Sequence, residues 1–277
     1  IVGGDWSSDV CSSDLGAWCA KRLKVPFIAD LYDNFEGFGQ ARIPGMKHLL
    51  RQAVCQAQLV TTTSQPLAEL VIHDYAAQAK VVSLPSTVDL TTFRSGNKSN
   101  ARERFGLLPN KQYIGTAGGL YKDKGVEVIY QAWEKLKHEM PNVHLVLAGP
   151  YQPDYPPPVE ERVHYLGSLA HHEISTLFLS FALGTVSILD TPFGRYCFPQ
   201  KAYEMLACDL PVVVANIGEM SYLFRDSPQV LFQTGNANDL ASKIQQQLQS
   251  PQQQSIAVED WATIIQRIEP MITALKF

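Results

Sequence analysis

The chain has 277 residues, 45% of them hydrophobic, with 23 Lys and Arg against 27 Asp and Glu for a net charge of −4. That is enough apolar material for one large or two ordinary globular domains, and the acidic balance excludes a general nucleic-acid binder, which needs a concentrated basic face. No apolar run approaches the ~20 residues that span a bilayer, and the charged start of a secretory signal is absent from the first residues.

Asp5–Leu15, DWSSDVCSSDL, has neither apolar periodicity nor turn grammar. It is the codon-for-codon translation of an oligonucleotide resembling a shotgun-sequencing adapter, so residues 1–15 are expected to carry no fold information. The chain starts without Met, and the expectation is a longer protein whose N-terminal part precedes it. PFIADLY then predicts a strand, MKHLLRQAVCQA a helix with Met46, Leu49, Leu50 and Val54 on one side, and QLVTTTS a second strand. PLAELVIHDY opens a helix with Pro66 near its first turn, and KVVSLPS is a third strand. STVDLTTFRSGNKSNARERFG turns polar and loses its periodicity, as a connection between domains would.

The alternation restarts with the strand QYIGTAG, a helix over Val126–Glu139 and the buried strand VHLVLAG. A Pro-rich loop, GPYQPDYPPP, leads to the strand VHYLG, the helix HHEISTLFLSF, the strand GTVSIL, the helix QKAYEMLAC and the strand LPVVVAN. SKIQQQLQSPQQQS reads as a solvated helix end and linker, and EDWATIIQRIEPMITAL as a last helix with a stripe through Trp261, Ile264, Ile265 and Ile268. The fold class is therefore α/β, with two Rossmann-like domains on parallel sheets. An incomplete first domain is expected over 16–95 and a second over 96–255, with the helix of 256–277 packing back toward the first. Cys19, Cys55, Cys197 and Cys208 show no C-x-x-C spacing, which points to a reducing cytoplasm. Cys55 and Cys208 fall on apolar helical positions and read as small core residues.

Two stretches carry chemistry. In GTAGGLYKDKG, Gly118 and Gly119 let the backbone turn tightly, and Lys124 and Gly125 open a helix whose dipole attracts anions. The geometry suits a diphosphate, although it matches neither the P-loop nor the dinucleotide fingerprint, and an ordinary Gly-rich turn with a solvated lysine reads the same way. In RYCFPQKAYEMLACDLPVVVAN, Lys201 and Glu204 lie three residues apart on one helix face. There a lysine can neutralise phosphate and a glutamate can accept hydrogen bonds from ribose hydroxyls, or the two form a surface ion pair.

With LPSTVDLTTF, these stretches resemble the GT-B nucleotide-sugar glycosyltransferases, within them the retaining family 4: a turn ending in Asp (PSTVD), a glycine turn followed by KG, a strand ending in glycine (LVLAG), and a helical glutamate ahead of a PVV strand. The resemblance implies that Lys124 holds the donor's diphosphate and that Glu204 is the second glutamate of an E-x7-E signature, gripping the ribose. The variant pattern F-P-x-K-x-x-E, here Phe198, Pro199, Lys201 and Glu204, recurs in many relatives. Two departures stand out. Gly118 stands where many members have an arginine as a second diphosphate cation, a charge Lys201 is expected to supply in part, and Tyr196 occupies the place of the first glutamate.

The implied reaction is metal-independent hexose transfer, with retention, from a nucleotide-diphosphate sugar to a glycan or lipid-linked acceptor of surface polysaccharide synthesis. No further cofactor is expected, and no D-x-D occurs to hold a metal. Acceptor groups are expected from the first domain, with Asp33 and Tyr32 the candidates after PFIADLYDN; Asp33 also reads as the cap of the next turn. Lys47 and Arg51 leave peripheral membrane contact open beside a solvated helix face. His171 and His172 read as a solvated helix start. The other readings are a nucleotide-sugar-binding module without turnover and a nucleotide-sugar epimerase.

Overall fold

The computed structural model describes residues 9–35, 43–75, 77, 79–252 and 256–276, with side chains from Leu15 onward. The chain divides into two compact units, Ile1–Ser86 with Arg195–Phe198 and Ala262–Phe277, and Thr87–Gly194 with Pro199–Trp261. Of the peptide read as uninformative, residues 5–8 lie outside the described residues, and from Asp9 the chain runs as helix α1 to Leu23. Among the described residues no helix is long and apolar enough to cross a membrane.

The first unit is built on three parallel strands, β1 (Ile28–Leu31), β2 (Leu59–Thr62) and β3 (Lys80–Ser83), in the order β1-β2-β3. Helices α2 (Met46–Gln56) and α3 (Gln65–His73) supply Leu50, Val54, Leu67 and Val71 to a core with Ala29, Leu31 and Val60. The central strand β2 is buried along its whole length, so its two threonines must find partners. Thr61 donates to Asp30 at 2.5 Å and Thr62 to the Ser64 carbonyl at 3.0 Å. Ser64 caps α3 by accepting from the Leu67 amide, with Pro66 in the first turn. Its hydroxyl donates to the carbonyl of Tyr196, whose ring packs against this core.

Two expectations fail in α2. Leu49 is exposed and Ala53 takes the buried position, because a helix only partly covered by its neighbours needs a narrower stripe. Cys55 is exposed, its thiol donating to the Tyr75 carbonyl, whereas Cys208 is buried as expected. The stripe of α11 (Trp261–Thr273) is narrower too: Ile264 and Ile268 are buried, while Trp261 and Ile265 face outward.

The second unit carries six parallel strands, β4 (Gln112–Ala117), β5 (Val143–Ala148), β6 (Val163–Tyr165), β7 (Leu183–Val186), β8 (Val212–Ala215) and β9 (Leu231–Phe232), in the order β6-β5-β4-β7-β8-β9. Strands β5, β7 and β8 are buried throughout, which is why they read as runs of apolar or small residues, interrupted only by His144 in β5. On one face α5 (Val126–Glu139) and α10 (Ala237–Gln249) pack Ile129, Trp133, Leu136, Leu240 and Ile244 over the sheet. Trp133 donates its indole N–H to Glu160 at 3.2 Å. The remaining helices are α4 (Lys98–Arg104), α6 (His171–Ser180), α7 (Pro192–Tyr196), α8 (Gln200–Ala207) and α9 (Gly218–Leu223).

The segment expected to be an irregular connection contains two ordered devices. Asp89 closes a turn by accepting from the amide and hydroxyl of Thr91 and the hydroxyl of Thr92, and these bonds hold its carboxyl down at about 2. The turn delivers Phe93 into the core. Helix α4 follows, capped by Asn97. Its buried residues are Ala101 and Arg102, and the Arg102 guanidinium donates to the carbonyls of Ser180 and Pro109 and lies 5.3 Å from the Tyr113 ring. An arginine as a core-facing residue hides the periodicity a sequence reading relies on. The glutamine tract continues α10 to Gln249, with Gln247 buried.

Arg102→Ala strands two carbonyls and opens a void, so it should cost about 2–4 kcal/mol. Arg104→Ala removes only an exposed pair with Glu173 and should cost under about 1 kcal/mol. Urea unfolding of both variants checks the contrast.

Candidate functional site

In the second unit the sheet order reverses between β4 and β7, which are neighbours although far apart in sequence. In open α/β sheets, ligands bind beyond the carboxyl ends of the strands at such a point. Strand β4 ends at Ala117 and gives way to Gly118, with φ +104°, whose amide donates to the Ala148 carbonyl at 2.9 Å. A single 3-10 turn, Lys122–Lys124, leads to Gly125 at φ +69° and into α5. A Cβ on Gly125 would lie 1.7 Å from the carbonyl oxygen of Ser187, just past the end of β7. The hydroxyl of Ser187 donates back to the Lys124 carbonyl at 2.9 Å. Only glycine fits, and the amino end of α5, with its positive dipole, is fastened to the end of β7.

Three ionisable groups gather there. Lys124 is half-buried, its ammonium 3.9 Å from the centroid of the Phe193 ring, a cation–π contact that aims the side chain. Lys201, from the first turn of α8, donates to the Thr116 hydroxyl at 3.1 Å and lies over the glycine turn, its Nζ 3.7 Å from where a Cβ on Gly118 would be. Burial pushes the Lys201 ammonium down to about 8, the nearby Lys124 cation adds to this, and Glu204 opposes it. Glu204, one turn along α8, has a carboxyl raised to about 7 by burial, with Lys201 pulling it down. The Lys124 and Lys201 charges disfavour one another, a repulsion that a bound anion relieves, and burial makes the Glu204 carboxylate favour hydrogen-bond donors.

Lys124, Lys201, Glu204, Gly118, Gly119, Gly125 and Pro199, which is buried ahead of α8, all belong to the second unit. Phe198 and Asp33 belong to the first. The Asp33 carboxylate accepts from the Asn34 amide at 2.9 Å, the turn-capping bond, and Tyr32 is exposed. Sequence reasoning missed His171, the first residue of α6, whose Nε2 is 3.8 Å from Oε1 of Glu204. No spacing rule links positions 33 residues apart.

Residues 111–250, about half the chain and the part that holds these groups, match the family model described as glycosyl transferases group 1. The chain belongs to this family. D-inositol 3-phosphate glycosyltransferase of Mycolicibacterium gilvum is 26% identical to it over 230 residues, 78% of this chain and 51% of the relative. The counterpart from Mycobacterium marinum is 25% identical over 68% of this chain and 41% of its own length. The chain thus spans about half the length of the curated relatives it matches or less. Among solved structures, Anabaena HepE in complex with UDP superposes with a TM-score of 0.78 at 22% identity, over 96% of this chain and 77% of HepE. Sucrose-phosphate synthase from Thermosynechococcus elongatus gives 0.70 at 18% identity, over 94% and 71%. These likenesses show the α/β GT-B fold for this chain.

A buried carboxylate held above its ordinary pKa disfavours folding increasingly as pH rises from about 4.5 to about 7. Glu204→Gln should therefore stabilise the chain at pH 8, by about 1–2 kcal/mol after the loss of the attraction to Lys201 is set against the gain. At pH 4, below the ordinary carboxyl value of 4.5, the gain should vanish. Thermal melts at the two pH values check this.

Proposed function

We propose that the second unit binds the nucleoside diphosphate of a sugar donor, and that the protein transfers the sugar with retention to a glycan or lipid-linked acceptor. The observation that carries the reading is the meeting of Lys124, Lys201 and Glu204 at the strand switch, beside the amino end of α5. The two lysines and the helix dipole suit the diphosphate, and Glu204 suits the hydroxyl pair of the ribose. As the bond to the sugar's anomeric carbon stretches, negative charge grows on the leaving diphosphate. Fixed cations then lower the barrier without a step through a metal. HepE has been solved with UDP and with UDP-glucose, which makes a uridine diphosphate hexose the donor to try first.

Attack by the acceptor hydroxyl on the face from which the diphosphate departs is the proposed route to retention, because no carboxylate stands out in the sequence as a strong candidate nucleophile. Asp33 and Tyr32 are the proposed acceptor-side groups, and a surface polysaccharide made at the inner face of the membrane is the proposed destination. One observation favours a second reading, a binding module without turnover. Where the family's first glutamate would stand, Tyr196 packs its ring into the apolar core of the first unit.

Titrating UDP into the chain by calorimetry tests the donor site. Lys124→Ala should weaken binding by about 1.5–3 kcal/mol, the range for a charge-assisted contact, and unchanged affinity would remove Lys124 from the site. Release of hexose from UDP-glucose onto an acceptor separates the transferase from the binding module.

A further inference from the structure

We infer that His171 is a positioning residue for Glu204, and that it sustains nucleotide binding as the pH falls from 8 to 6. This deepens the proposed reading, since it rests on Glu204 as the ribose acceptor.

The geometry is asymmetric. Nε2 of His171 lies 3.8 Å from Oε1 of Glu204, yet the histidine side chain is 72% exposed and the glutamate only 14%. One partner can exchange protons freely with water while the other is held out of it. The imidazole is not adrift: the ring of Phe93 meets it edge-on at 5.1 Å, and Phe93 is itself fully buried against Phe178. Phe93 is delivered there by the Asp89 turn, whose backbone carbonyl accepts from the Phe93 amide at 2.8 Å. The motif PSTVDLTTF thus reaches the glutamate through two contacts, Phe93 to His171 and His171 to Glu204.

The charged surroundings leave His171 a defined task. On α8, Lys201 lies a turn before Glu204, and Cys208 a turn after it. Lys201 is also coupled to Lys124, and the proposed reading assigns it to the diphosphate. Burial pushes the Cys208 thiol up to about 12, so it stays neutral. The strands under α8, Leu183–Val186 and Val212–Ala215, contribute no titratable side chain. Beyond His171 on α6, Glu173 is engaged by Arg104 and the Ala170 amide, and His172 lines the cleft against α4.

An ionised carboxyl accepts hydroxyl hydrogens at both oxygens and more strongly than the protonated form, which turns one oxygen into a donor, and burial makes Glu204 prone to protonation near neutrality. An imidazole beside it carries a positive charge only when protonated. An imidazolium beside the carboxyl then favours the ionised form at the pH where it would otherwise be lost.

The test is UDP affinity, by calorimetry on the 277-residue chain at pH 8 and pH 6. Each result is taken as a ratio to the parent at the same pH, so that titration of the diphosphate itself cancels. His171→Gln should bind within about twofold of the parent at pH 8 and about fivefold or more weaker at pH 6. His171→Lys, charged at both values, should stay within about twofold throughout. In the Glu204→Gln background, His171→Gln should change affinity at pH 6 by less than about twofold, because an effect exerted through Glu204 disappears with it. Equal weakening at both pH values, or a loss at pH 6 that survives in the Glu204→Gln background, overturns the role. If Glu204→Gln weakens UDP at pH 8 while the His171→Gln ratio stays flat, this inference fails and the donor-site reading stands. If Glu204→Gln has no effect at pH 8, or the parent binds no UDP, both fail.

Discussion

The second unit depends on one close approach of backbone to backbone. At Gly125 the chain passes so near the Ser187 carbonyl that a single methyl group would overlap it, and the Ser187 hydroxyl locks the contact by donating to the neighbouring carbonyl. This contact joins the helix after β4 to the end of β7, the two strands between which the sheet changes direction. The positive end of α5 is thereby placed where two strand ends diverge. Gly118 and Gly149 make a second such approach between the ends of β4 and β5. The site is a consequence of these glycines before any charged residue is considered.

The charges placed around that frame are poor for stability and suited to a ligand. Lys201 is depressed by burial and by Lys124, and Glu204 is raised by burial. Side chains held away from their preferred protonation states store free energy that an anionic, hydroxyl-bearing ligand can release. Two contacts, Lys124 on the Phe193 ring and Lys201 on the Thr116 hydroxyl, help to place the ammonium groups. A donor nucleotide would therefore meet a hollow already arranged for it, at little cost in reorganisation.

Much of this arrangement is legible in the sequence because it is local. Buried parallel strands write themselves as apolar runs, so VHLVLA and VVVA are plain. Glycines before a KG pair mark a turn into a helix, and Lys201 and Glu204 are one turn apart whatever the tertiary fold. What failed was also local, but written in the wrong alphabet. Helix α4 turns an arginine inward, and the exposed sides of α2 and α11 carry apolar residues that periodicity counts as core. Polar side chains can be buried once carbonyls are available to them, and apolar ones can be exposed when the neighbouring layer is narrow.

By itself, the sequence determined the α/β class, the succession of strands and helices in the second unit, and the residue types able to hold a diphosphate and a ribose, since each follows from spacing within a few turns of chain. The tertiary structure alone decided which strands are neighbours, and so which turns share a hollow. It set Lys124 against Lys201, brought His171 to Glu204, and sent the Tyr196 ring into the core of the first unit. Encounters between positions tens of residues apart arise from strand order and from where backbones can touch, and no local pattern records either.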